Sequence, residues 1–262
     1  MDNRLCKYPR TQHIAGSGIQ PGDQELAVVP VHALLGRHLV VEEKVDGANS
    51  AISFGRDGRL QLQSRGHYLS GGERERQFHL FKTWAHGHTL QLWEALSDRY
   101  VLYGEWLYAR HTIFYTDLPH YFLEFAILDR QSETFLDTRG RQQLLHRLSF
   151  LVSVRVLYEG VIQDMQTLRN LLGPSHFIRR DQRQCLLDLC AARRLDSARM
   201  LRESDTSGLM EGLYINVEAE GVVQARYKYV RAGFVQAVLD TGEHWMNRPL
   251  LPNLLAAGCT LF

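Results

Sequence analysis

Short runs of strand character, broken by turn signals, constrain this chain more than any other feature. Residues 38–43 alternate towards β structure and deliver Lys44, and the pair Asp46-Gly47 then turns the chain into strand-like runs at 50–54 and 60–64. The last two flank the turn Gly55-Arg56-Asp57-Gly58, so the pattern is a β meander with Lys44 near one rim. Strand character returns at 100–108 and 121–128, rich in aromatic and branched residues, and again at 212–218 and 222–230.

Helical spacing fills the intervals. Phe78, Phe81, Trp84, Leu92, Trp93 and Leu96 recur with a helical period, with Gly87 as a break between two pieces. Asp137-Thr138 caps a helix through Leu144, Leu145 and Leu148, Asp164 opens another that stops at Gly173-Pro174, and a third covers 181–202. The opening at 8–18 is rich in turn formers and predicts an ordered loop. This order of elements predicts an α+β domain of antiparallel β-sheets flanked by helices. Residues 1–233 are expected to form it, with 234–262 as a short extension packed on it and too short for a complete C-terminal barrel.

No apolar run approaches the roughly 20 residues that span a bilayer, and the polar start Met1-Asp2-Asn3-Arg4 has no apolar signal segment behind it, so no membrane partner and a cytoplasmic location are expected. Cys6, Cys185, Cys190 and Cys259 have neither disulfide density nor paired zinc spacing, and Cys185 and Cys190 read as buried thiols. A net charge of +1 argues against indiscriminate binding of polyanions, so any nucleic-acid site is a local patch. Of the 30 Lys and Arg residues only Lys7, Lys44, Lys82 and Lys228 are lysines. An amine loses its proton when its surroundings shift its pKa and an arginine does not, which makes retained lysines candidates for nucleophilic chemistry.

Lys44-Val45-Asp46-Gly47 has the pattern Lys-x-Asp-Gly, and five companions follow it in order: Ser64-Arg65-Gly66, Tyr103-Gly104-Glu105-Trp106, Phe122-Leu123-Glu124-Phe125, Glu211-Gly212-Leu213-Tyr214-Ile215 and Arg226-Tyr227-Lys228. In type and order these resemble the covalent lysine nucleotidyltransferases, and most closely the ATP-dependent RNA ligases of the double-strand-sealing type. The resemblance runs from Lys44 to Arg231. It implies an adenylation domain in which Lys44 attacks the α-phosphorus of ATP and holds AMP. The AMP then passes to an RNA 5′-phosphate, which a 3′-hydroxyl attacks. Mg2+ or Mn2+ is the implied metal, approached by Glu211.

By the same resemblance, Lys44, Glu211, Lys228 and Arg226 are the catalytic residues, and these with Asp46, Gly47, Asn49, Arg65, Glu105 and Phe125 bind ATP or AMP. Phe125 stacks on the adenine, with Phe122 as the alternative. The chain departs from the family pattern at Ala126, where an aspartate is usual, and at Arg226, where a second lysine is common. A lysine with an ordinary pKa near 10.4 is protonated at neutral pH, so a nearby cation or desolvation is expected to depress Lys44. Arg226 and Lys228, two apart on a strand, are expected to face one phosphate site.

Arg10, His13 and Asn49, with Thr11 and Ser17 beside them, are candidate contacts to a phosphate or terminal nucleotide, and Arg179 and Arg180, with Arg183, Arg193 and Arg194, to a nucleic-acid surface. The expected partner is RNA with 3′-hydroxyl and 5′-phosphate ends, and the short tail suggests a helper protein. The alternatives are a nucleotide-binding RNA-end sensor without turnover, or a DNA ligase or GTP-using capping-type enzyme.

Overall fold

The computed structural model describes residues 5–19, 22–240 and 249–262. The polar start and part of the tail read above therefore lie outside the described residues. In chain order the elements are β1 (Gln12–Ile14), β2 (Val28–Val29), β3 (His38–Lys44), β4 (Ala48–Phe54), β5 (Leu60–Ser64), α1 (His79–Gly87) and α2 (Thr89–Leu96). There follow β6 (Tyr100–Trp106), β7 (Phe122–Asp129), β8 (Thr134–Phe135), α3 (Thr138–Leu145), β9 (Val152–Ser153), β10 (Val156–Val161) and α4 (Met165–Asn170). The last are α5 (Gln182–Arg193), α6 (Ser197–Arg202), β11 (Gly212–Ala219), β12 (Val222–Val230) and α7 (Ala232–Asp240).

The fold is α+β, with two sheets flanked by helices. One sheet runs β10-β3-β11-β12-β1-β2 and the other β5-β4-β6-β7-β8, with β9 beside β7. Most pairings are antiparallel, as expected, but β1 lies parallel to β12 and β2, and β9 parallel to β7. The β11–β12 hairpin turns on Glu220 (φ 55) and Gly221 (φ 80), the pair of positive angles that suits the twist of a tight hairpin.

Period-two alternation sorts each strand between two environments. In the first sheet Leu39, Val41, Leu213, Ile215, Val217 and Tyr227 form one core. Their neighbours Glu42, Lys44, Tyr214, Asn216, Arg226 and Lys228 face the second sheet. There Ile52, Phe54, Leu62, Leu102, Trp106, Phe122 and Ile127 bury the outer face against Phe81, Trp84, Leu92 and Leu96 of α1 and α2. Each large side chain so buried contributes about 1.5–3 kcal/mol relative to exposure. Between the sheets lie an aromatic and apolar cluster of Tyr8, Ala51, Val101, Tyr103, Ala126 and Phe135 and, beside it, buried charged groups. Arg141 of α3 reaches both Glu42 and Glu124, bridging β3 to β7.

Asp137 accepts from the N–H of Gly140 and Asp164 from that of Thr167, capping α3 and α4 as their spacing predicts. The helix expected across 181–202 is two helices, because Arg194 adopts a left-handed conformation (φ 54) that closes α5. Strands β1, β9 and β10 carry little sequence signal. Three residues are too few for a period, and β10, an edge strand with a bulge and Gly160, has no clean alternation. Cys190 is buried, Cys185 half-buried, and all four cysteines are free thiols. Among the described residues no helix is long and apolar enough to cross a membrane.

Candidate active site

Lys44 ends β3 opposite Gly212, which places the residue before that glycine, Glu211, beside it. The Lys44 Nζ lies 2.6 Å from Glu211 Oε1; the lysine side chain is 24% exposed and the glutamate 2%. An amine within reach of a ligand therefore rests on a sealed carboxylate. Burial pulls the Lys44 amine down, but Glu211, Glu105 and Asp46 outweigh it, and its pKa is raised above the ordinary lysine value. This corrects the expectation of a depressed lysine: in the free protein the amine is held as ammonium, because the acids around it outweigh burial. Burial pushes Glu211 up to about 7 against the pull of Lys44, and pushes Glu105 up to about 8.

The loop after Lys44 is fixed from outside. Asp46 Oδ2 accepts from the backbone N–H groups of Thr112 (2.8 Å) and Ile113 (2.9 Å), and the Asp46 N–H donates to the Tyr115 hydroxyl at 2.8 Å. Asp46, a residue that the resemblance assigns to nucleotide binding, thus braces the loop through Oδ2. Gly47 passes so close to β6 that a Cβ would sit 2.7 Å from Leu107 Cδ2 and 2.8 Å from the Trp106 carbonyl. A close approach, as well as a turn, requires glycine here.

Asn49 of β4 lies directly opposite Glu105 of β6 and so shares its face. Arg110, five residues after Glu105, bonds the Glu203 carbonyl and the Ser204 hydroxyl. Arg65 is exposed on the rim just beyond β5. Phe125 is half-buried, edge-on to Tyr8 (5.1 Å between centroids) and 6.2 Å from the Tyr214 ring. Phe122, the alternative, is fully buried with Phe81 and Trp84 on the helical side of the sheet, which removes it from the site. Ala126 is buried in a core with Tyr8 and Tyr103.

Lys228 and Arg226 face the same side, yet the structure does not bring them to one anion. Arg226 lies over Phe135 at 3.8 Å and over Tyr8 at 5.2 Å, whereas Lys228 binds the Asp23 carboxylate. Arg10 and His13 reach the same carboxylate. Arg179 and Arg180 are exposed and are not part of this cluster; Arg179 is paired with Asp181 at 3.1 Å. Of the further arginines, Arg183, Arg193 and Arg194 are exposed.

Three participants escaped the sequence reading. Asp23 sits in a loop with no distinguishing pattern. Glu43, on the opposite face of β3 from Lys44, accepts from the Ser175 hydroxyl, from the His176 N–H (3.1 Å) and from His176 Nδ1 (2.9 Å). Tyr8 fills the space between the sheets, with its hydroxyl on that of Tyr214.

Glu105, Asp46 and Glu211 are the carboxyl groups around the Lys44 ammonium, and burial leaves Glu105 and Glu211 partly protonated at neutral pH. Among the described residues no group of three His, Cys, Asp or Glu is placed to hold a metal unaided. A small hard cation takes one or two carboxylates and completes its shell with phosphate and water; Glu211, the metal ligand that the resemblance implies, is the carboxylate paired with the Lys44 amine.

The sequence model of the RNA ligase family matches residues 37–230. No curated protein matches the chain. Among solved structures, a mutant of Naegleria gruberi RNA ligase with ATP and Mn matches with TM-score 0.52 at 16% identity, over 80% of this chain and 53% of that one. An apo mutant of the same ligase matches with TM-score 0.53 at 14% identity, over 89% of this chain and 60% of that one. A mutant with AMP and Mn gives TM-score 0.53 at 15% identity, over 89% and 60%. At such identities the likeness is one of fold, and this chain spans little more than half the length of those it matches.

Proposed function

The chain belongs to the RNA ligase family, and from that premise we propose that it joins RNA 3′-hydroxyl and 5′-phosphate ends through AMP held on Lys44. The observation that carries this reading is the partly exposed Lys44 amine resting on buried Glu211, with Glu105 beside it and Lys228 on the same face. Naegleria gruberi RNA ligase mutants bound to ATP or AMP and Mn, on the same fold, support ATP as the AMP donor.

In the first step the neutral Lys44 amine attacks the α-phosphorus, an N–P bond forms, and the bond to the bridging oxygen breaks to release pyrophosphate. The proton that must leave Lys44 faces Glu211 Oε1 at 2.6 Å, the nearest acceptor. Glu105 and Asn49, paired across two strands, are placed to accept and donate hydrogen bonds to the ribose, and half-buried Phe125 offers a face to the adenine. A divalent cation held by Glu211 would supply positive charge beside the α-phosphate. Lys228 adds a fixed cation to the same surface. In the later steps the 5′-phosphate oxygen replaces Lys44 on AMP, and the 3′-hydroxyl then displaces AMP. All three are displacements at phosphorus, which depend on positioning and charge more than on acid or base groups.

The test is ATP labelled at the α-phosphate, mixed with protein and Mg2+ or Mn2+. A labelled adduct that mass spectrometry maps to Lys44 is expected, followed by sealing of nicked RNA. A protein that takes no label from ATP, or labels only with GTP, or joins only DNA, defeats the corresponding part of the proposal.

A pH dependence follows from the raised pKa of Lys44. Below that pKa the neutral fraction grows tenfold per unit, so labelling should accelerate with pH between about 6 and about 9. Single-turnover labelling rates check this; a flat profile would mean that deprotonation of Lys44 does not limit the step.

A further inference from the structure

Asp23 is held as only a bound anion is usually held. Its Oδ2 receives Lys228 Nζ and, at 3.3 Å, His13 Nε2; its Oδ1 receives Arg10 Nη2 at 3.0 Å. Burial works against its charge, but these donors hold the carboxyl down at about 2, so it is an acceptor throughout the working range. His13 Nε2 must therefore carry the proton, and its Nδ1 accepts from Ser17 Oγ at 2.7 Å. His13 is fully buried with that N–H aimed at Asp23.

The donors are part of the sheet. Lys228 and His13 are register partners on β12 and β1, and Arg10 lies just before β1. They stand beside Lys44, whose charge is felt at both Lys228 and His13. Two cations and an imidazole N–H converging on two oxygens of one carboxylate also have the arrangement that grips the oxygens of a phosphoryl group. A terminal phosphate carries up to two charges against the carboxylate's one, so the exchange favours phosphate once it is delivered.

We propose that Arg10, His13 and Lys228 form a phosphate subsite beside Lys44, in which the Asp23 side chain occupies the place of a phosphoryl group and yields to one. The ligand is a terminal phosphate, from either the pyrophosphate end of the nucleotide or the 5′ end of a nucleic acid. Which of them matters biologically rests on the ligase reading; the subsite itself does not.

The experiment is equilibrium binding, without ATP, of inorganic pyrophosphate and of one oligoribonucleotide bearing either a 5′-phosphate or a 5′-hydroxyl. Asp23→Asn keeps the shape and removes the internal charge. It should bind pyrophosphate or the 5′-phosphorylated RNA about tenfold more tightly than wild type, and Arg10→Gln added to it should remove the gain. Tightening for pyrophosphate alone assigns the leaving group, and for 5′-phosphate RNA alone the nucleic-acid end. No tightening for either overturns the subsite, as does equal tightening for the 5′-hydroxyl RNA, which is general charge attraction. Should Asp23→Asn not fold, pyrophosphate titrated into wild type must move the His13 imidazole NMR signal saturably; an unmoved signal overturns the proposal. Neither readout involves a covalent adduct, so a failure of Lys44 labelling leaves this result standing.

Discussion

Lys44→Ala is expected to abolish the covalent nucleotide adduct, lowering labelling by at least about a thousandfold, because among the described residues no other lysine shares its place beside Glu211. Lys228 shares the face but is buried on Asp23, and Lys82 is paired with Glu75. Lys44→Arg should fail equally, since a guanidinium keeps its proton at any working pH. Supplying RNA already adenylated at its 5′ end bypasses the adduct, so both variants should still seal it to a measurable extent. Labelling of Lys44→Ala at the wild-type level sinks the assignment of the nucleophile. Loss of sealing from pre-adenylated RNA, in a variant that melts like wild type, would instead give Lys44 a role beyond holding AMP.

The second large effect is on stability. Arg141→Met should destabilise the protein by about 3–5 kcal/mol, because it leaves two buried carboxylates without their shared cation. For a chain of this size that is a fall in Tm of about 10 °C. Arg141 is buried between Glu42 on β3 and Glu124 on β7, at 3.2 Å from Glu124 Oε1. Asn216 and Ser153 satisfy the other carboxylate oxygens.

The pH dependence fixes the cause. Burial raises Glu42 to about 7 even with Arg141 present, so the folded state binds a proton there more readily than the unfolded chain does. Without the arginine that preference grows. The deficit of Arg141→Met relative to wild type should therefore shrink as pH is lowered from the alkaline side towards about 7, where Glu42 is already protonated in the variant and still charged in wild type, and level off below it. A deficit unchanged across that range points to lost packing. Since Glu42 is two residues before Lys44, adenylation should suffer as well: the bridge spaces the sheet that carries Lys44 from the sheet that carries Glu105.

What could be read without coordinates was local in sequence. Alternation located β3, β4, β5, β6, β7, β11 and β12 because each strand has one face in an apolar core. Asp137 and Asp164 marked helix starts because a cap acts over three residues. The ordered motifs picked out Lys44, Glu105 and Glu211, which the fold brings together between the two sheets. The parallel edge strand β1 could not be read, since three residues pair with β12 only because that edge offers open backbone groups.

The charge state of Lys44 and the partner of Lys228 were equally out of reach. A lysine signature states that an amine is present; its pKa is set by Glu211, Glu105 and Asp46, which meet only when β3, β6 and β11 are in place. Asp23 and Lys228 are 205 residues apart, and Glu42 and Arg141 are 99 apart. The sequence by itself determined the alternating strands β3 to β7, β11 and β12, the caps at Asp137 and Asp164 and the chemical types available for nucleotidyl transfer, because these depend on neighbours within a few residues. Tertiary structure alone decided which carboxylate faces which cation and which residues gather around Lys44: Coulomb interaction and desolvation depend on distance in space and on burial, and a sequence fixes neither until the sheets pack.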